Sequence, residues 1–159
     1  MQRLSSYTMM LALASAALLA PRTARAQVVS EVGSTGHYSL TLKVLPAESF
    51  TGANAEMARD GGAEPATLHG SVHPNHHLVV FIKKDNKPVE QATVTITYRK
   101  ADKKGPDWTM LPVTRMHVKG QGPETTHFGN NLYLAPGTYD ARVMVNGSSP
   151  VLFKFKVGG

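Results

Sequence analysis

Apolar and polar residues alternate with a period of two along most of the chain, which is the pattern of half-buried β-strands. Ala92, Val94, Ile96 and Tyr98 alternate with Thr93, Thr95 and Thr97. Tyr38, Leu40, Leu42 and Val44 alternate with Ser39, Thr41 and Lys43, and Pro46 stops that run. Tyr139, Ala141, Val143 and Val145 oppose Asp140, Arg142 and Met144. Val151, Phe153, Phe155 and Val157 point inward, with Lys154 and Lys156 outward. The run 78–83 is almost continuously apolar, as in a strand covered on both faces. The stretch 108–118 reads as an edge strand interrupted by Pro112, and Leu132-Tyr133-Leu134 as a short one. Turn chemistry separates these runs: Asp85-Asn86-Lys87-Pro88, Gly105-Pro106, Asn146-Gly147, and Ala135-Pro136-Gly137-Thr138-Tyr139, whose tyrosine can fold back over its own turn. Only Ala53 to Ala58, inside the Gly- and Pro-containing connection 48–70, is compatible with a helical turn. The pattern predicts an all-β fold, an antiparallel immunoglobulin-like β-sandwich of about seven strands.

The first 26 residues do not fit that pattern. Arg3, an apolar run over 9–20 and Ala24-Arg25-Ala26 have the layout of a secretory signal peptide, too short to serve comfortably as a membrane span. The predicted organisation is a signal peptide over 1–26, a flexible lead over 27–36 and one sandwich domain over 37–159, in a periplasmic or secreted protein. The charge then changes meaning. The full chain carries +6, but three arginines leave with residues 1–26, so the mature part is only about +3. Its lysines are scattered, with no basic run interleaved with aromatics, so nucleic acid is not an expected partner.

The chain has no cysteine. That excludes thiolate metal sites, a cysteine nucleophile and disulfide staples. Metal chemistry would have to come from His, Met and carboxylates. All seven histidines lie in the mature part, and His69, His73, His76 and His77 fall within nine positions just before the apolar run at 78. Neutral imidazole suits copper, zinc, iron and nickel, and a thioether selects Cu(I). His76 and His77 point to opposite faces in an extended chain, so one of the two is the candidate ligand. Met116 and His117 are likewise opposed. His127 precedes Phe128-Gly129-Asn130-Asn131, where Gly and Asn suggest a turn with positive φ that would hold the imidazole rigidly.

The stretch His127-Phe128-Gly129-Asn130-Asn131 resembles the His-Tyr-Gly-x-Asn motif of the periplasmic iron-transport-associated proteins. These are immunoglobulin-like copper- and iron-binding partners of high-affinity iron permeases. The resemblance spans about 76–157 and is specific over 127–139. It implies that His127 is a copper ligand, that Met116 is the upstream methionine ligand, and that His77 or His76 is the third. His73 remains a further candidate from the cluster. The Met116 to His127 spacing is longer than the family's, and no histidine follows His127. The resemblance further implies copper, with iron as an alternative, a membrane metal permease as partner, and a homodimer.

Two functional classes follow. One is an exported metal-binding protein, a carrier or accessory to metal uptake. The other is an immunoglobulin-like binding or adhesion module without metal. No Ser-His-Asp arrangement or other catalytic motif is present, so the expectation is a protein that is not an enzyme.

Overall fold

The computed structural model describes residues 29–48, 74–102, 105, 107–118 and 120–158. The expected signal peptide, the connection beyond Glu48 with its helical patch, His69 and His73 lie outside the described residues. Ten strands run through the described chain: β1 Val29–Thr35, β2 Tyr38–Pro46, β3 His76–Lys84, β4 Lys87–Pro88, β5 Val94–Lys100, β6 Thr109–Leu111, β7 Thr114–Met116, β8 His127–Leu132, β9 Gly137–Val145 and β10 Val151–Val157. Every pairing is antiparallel. One sheet has the order β1-β2-β3-β8-β7, with β4 also paired to β3; the second has the order β10-β9-β5-β6. This is the predicted β-sandwich, with more and shorter strands than the alternation alone announced.

The core lies between the sheets, where the alternation says it should. Leu40, Leu42, Val44, Leu78, Val80 and Ile82 from the first sheet meet Ile96, Ala141, Val143, Val145, Phe153 and Phe155 from the second, all buried. The Tyr139 hydroxyl donates to the Ala135 carbonyl at 2.9 Å, so the tyrosine does fold back over its turn. The two-residue hairpin turn between β3 and β4 carries left-handed Asp85 and Asn86, and the turn that leaves β9 is left-handed at Asn146 and Gly147. Among the described residues no helix is long and apolar enough to cross a membrane.

Three expectations are corrected. The lead over 27–36 is not loose throughout: 29–35 forms β1, paired residue for residue with β2 around a turn at Gly36. Its Ser, Gly and Glu residues conceal a strand whose alternate positions are half-buried. The stretch 108–118 is not one interrupted strand. Pro112, which cannot donate to a ladder, marks the corner where the chain leaves β6 in the second sheet for β7 in the first. And 127–131 is not a turn but strand β8, with no positive φ at Gly129, Asn130 or Asn131.

Candidate metal centre

The outer face of the first sheet, turned away from the core, carries the chemistry. Along β3 the side chains of His76, Leu78, Val80 and Ile82 share one face and those of His77, Val79 and Phe81 the other. In the β3–β8 pairing His77 lies opposite Asn131 and Val79 opposite Gly129. His127 follows two residues further along β8, on the same face. His77 and His127 therefore flank Gly129, one on each side along the strands. Gly129 adds no side chain between them on the β8 side, and the two rings approach each other across the face. The two Nε2 atoms are 3.5 Å apart and the rings meet edge to face.

Gly129 has a second reason to be glycine. A Cβ there would overlap the Leu78 carbonyl and lie 2.7 Å from the Val79 Cα. The residue is required by close approach of β8 to β3, not by a left-handed backbone.

Each imidazole is held from behind. The His127 ring meets Phe81 in a tilted contact, 5.2 Å between centroids, and the Lys43 ammonium lies 4.7 Å from the Phe81 ring centre. His127 Nδ1 donates to the Thr125 carbonyl at 2.8 Å. Thr125 belongs to a short 3-10 turn, Pro123–Thr125, that closes the loop between β7 and β8. This bond places the proton on Nδ1 and turns the Nε2 lone pair toward His77. His77 is fully buried. Burial, with the neighbouring His127 adding to it, pushes the His77 pKa down to about 4, and hydrogen bonding by the Asn131 side chain and the Asn130 backbone works the other way. His77 is therefore neutral at any physiological pH, which is the form that binds metals.

A carboxylate completes the cluster. Glu48, just past the end of β2, places Oε2 3.9 Å from His77 Nε2. Among the described residues, Glu48, His77 and His127 form the one group whose donor atoms all lie within 4.8 Å of one another. Met116 adds a third donor type, a thioether. It is buried and sits directly opposite His127 in the β7–β8 pairing, so the two side chains share a face.

The remaining candidates sort themselves by face. His76 points to the core side and its Nδ1 lies 2.7 Å from the Asn75 amide oxygen; burial lowers its pKa. His117 follows Met116 and is exposed on the opposite side. His37 is exposed near Asp85, at the far end of β2 from Glu48. The structure thus brings together His77, His127 and Met116 from the sequence candidates. Glu48 was missed. Its signal was its position three residues beyond Leu45, which pairs with His77, but a pairing register is not readable from one strand.

The donor set fits a single ion. Two imidazole nitrogens 3.5 Å apart, each about 2.0–2.1 Å from a shared metal, subtend roughly 113–122° at it, near the tetrahedral and trigonal values. The set of imidazole, thioether and carboxylate includes ligands for both copper oxidation states.

Comparisons with known proteins agree on the fold. The structure is similar to a copper-bound glutamate-to-glutamine variant of FetP from uropathogenic Escherichia coli strain F11, with a TM-score of 0.58 and 14% identity over 84% of this chain and 98% of that one. It is similar to as-isolated FetP from the same strain, at 0.55 and 13% over 86% and 98%. A DUF4426 family protein of Pseudomonas aeruginosa PAO1 matches at 0.50 and 16% over 81% and 94%. The fold expected from the sequence resemblance is therefore the fold found, and at these identities the likeness is one of fold. No protein-family model matches the chain, and no curated protein sequence does.

Proposed function

We propose that this chain is an exported metal-binding protein that takes copper at Glu48, His77 and His127, with Met116 as a fourth, soft donor. The observation that carries this reading is the approach of two buried imidazoles, 3.5 Å between Nε2 atoms, with a carboxylate beside them. Two buried imidazoles set Nε2 toward Nε2 beside a carboxylate are the donor arrangement that a single cation would bridge. The mixed donor set favours copper over a hard cation such as magnesium, and iron is the alternative metal.

The role that suits such a site is carriage, without catalysis: capture of the ion outside the cytoplasm and delivery to a membrane metal permease, from a monomer or a homodimer. The layout of residues 1–26 and the fold shared with a copper-bound bacterial protein both support this reading.

The test is titration of the mature protein with Cu(II), with Cu(I) under reducing conditions, and with Fe(II). The expected result is copper binding well below micromolar that is lost or strongly weakened in His127→Ala. Binding no tighter than about micromolar, roughly −8 kcal/mol, would leave an immunoglobulin-like binding module without metal as the better account.

A further inference from the structure

Glu48 reaches the histidines by an indirect route. It lies beyond the end of β2, past Pro46, which has no N–H to offer a ladder. The chain leaving β2 is held by a bond from the Ala47 N–H to the Asn75 carbonyl, 3.3 Å, and then by one side chain. The Asn131 amide nitrogen donates to the Glu48 carbonyl at 2.6 Å, and the Glu48 N–H donates to the Asn131 amide oxygen at 3.1 Å. Both polar ends of one amide thus grip the backbone of one residue. This mimics the paired bonds two strand residues exchange, at a point where β2 has ended.

Asn131 is itself well placed to act as a fixed reference. It is a β8 residue directly opposite His77, and its own N–H donates to the Asn130 side-chain oxygen at 2.7 Å. Strand β8 therefore contributes His127 directly and Glu48 by way of Asn131.

We infer that Asn131 is a positioning residue that sets the oxidation-state preference of the site, by holding Glu48 where its carboxylate can join the histidines. This rests on the metal-site reading above. A carboxylate is a hard, anionic donor that favours Cu(II), whereas Cu(I) is satisfied by imidazole and thioether. Releasing Glu48 weakens Cu(II) and leaves Cu(I) close to its parent affinity. Asn131 touches no metal in this scheme; it acts by gripping the Glu48 backbone, beside its side-chain hydrogen bond to His77.

The experiment is a double-mutant cycle on the mature protein, with Cu(II) and Cu(I) affinities and the Cu(II) EPR spectrum as readouts. Asn131→Ala is expected to lower Cu(II) affinity by about 10- to 100-fold, the usual effect of removing a group that orients a ligand. Cu(I) affinity should change less than about threefold, and the EPR spectrum should shift toward that of Glu48→Gln. In a Glu48→Gln background, Asn131→Ala should lose most of its Cu(II) effect, keeping only the small part, equal for both oxidation states, that comes from its bond to His77. Asn131→Ser, a smaller polar replacement, gives the same reading if the alanine variant folds poorly. The inference is overturned if Asn131→Ala lowers both oxidation states equally, or keeps its full effect in the Glu48→Gln background. His127→Ala is run beside them. If it also leaves copper binding unchanged, the metal site itself is wrong; if it abolishes binding while Asn131→Ala is silent, only the role of Asn131 fails.

Discussion

Acidification offers a direct test of how tightly His77 is enclosed. Burial depresses its pKa from 6.5 to about 4 in the folded protein, while the unfolded chain keeps the ordinary value. As pH falls, the unfolded state takes up the proton first, so acid favours unfolding. The contribution of neutral His77 is fully present above pH 6.5, drains between 6.5 and about 4, and falls no further below that. The depression amounts to roughly 3 kcal/mol, at ~1.4 kcal/mol per pH unit within the window. His76, also depressed, contributes in the same direction, so the parent must be compared with a variant. Urea denaturation of metal-free protein at pH 7, 6, 5 and 4 should show the parent losing roughly 3 kcal/mol more than His77→Gln across the window. NMR of the His77 ring should show no protonation at pH 5.5. Metal binding follows the same logic. An imidazole of pKa 6.5 would cost about tenfold in affinity at pH 5.5 through proton competition, whereas His77 should cost nothing there. A His77 resonance titrating near 6.5, or parallel stability curves for parent and variant, would refute the enclosure described for this pair.

Other substitutions test separate parts of the structure. Met116→Leu should weaken Cu(I) by about tenfold, ~1.4 kcal/mol, and change Cu(II) less, as measured by competition titration. Gly129→Ala should destabilise the fold by ~1–3 kcal/mol, since the methyl has only β3 backbone to push against. It should also lower copper affinity, because β8 carries His127 away from His77; a variant with parent stability would contradict the close approach of the strands. Tyr139→Phe should cost about 1 kcal/mol, the worth of its bond to Ala135. Thermal unfolding would register that as a drop of roughly 4 °C.

The regular strands were legible because their inward positions are large and apolar and their outward ones polar. Val143 and Val145 are fully buried, and Tyr139 nearly so, as the alternation requires. β1 was not legible, because Ser30, Gly33 and Ser34 bring neither bulk nor contrast, and its strand character comes from pairing with β2. β8 was misread because Gly and Asn are turn residues by local preference. Here tertiary contacts override that preference: Gly129 makes room for β3, the buried Asn130 side chain donates to the Pro112 carbonyl, and Asn131 grips Glu48. The choice between His76 and His77 could be narrowed from sequence only to one of the pair, since alternation says that they differ and not which faces the site.

The spacing of Met116 from His127 is a sharper case. Read along the sequence, the gap is longer than that of the family the stretch resembles. In the fold the intervening loop leaves β7 and returns at the start of β8, and Met116 ends exactly one strand away, opposite His127. The distance between two such donors is set by the spacing of neighbouring strands, about 5 Å, and not by the length of the loop that joins them. The same holds for His77, fifty residues away in sequence, and for Glu48, beyond the end of a third strand. Four neighbouring strands, β2, β3, β8 and β7, thus deliver one donor each, with Glu48 just past its strand's end. Pairing register is therefore the property that brings these donors together, and it is a property of the assembled sheet, which is why the sequence offered His77, His127 and Met116 as candidates but not the carboxylate.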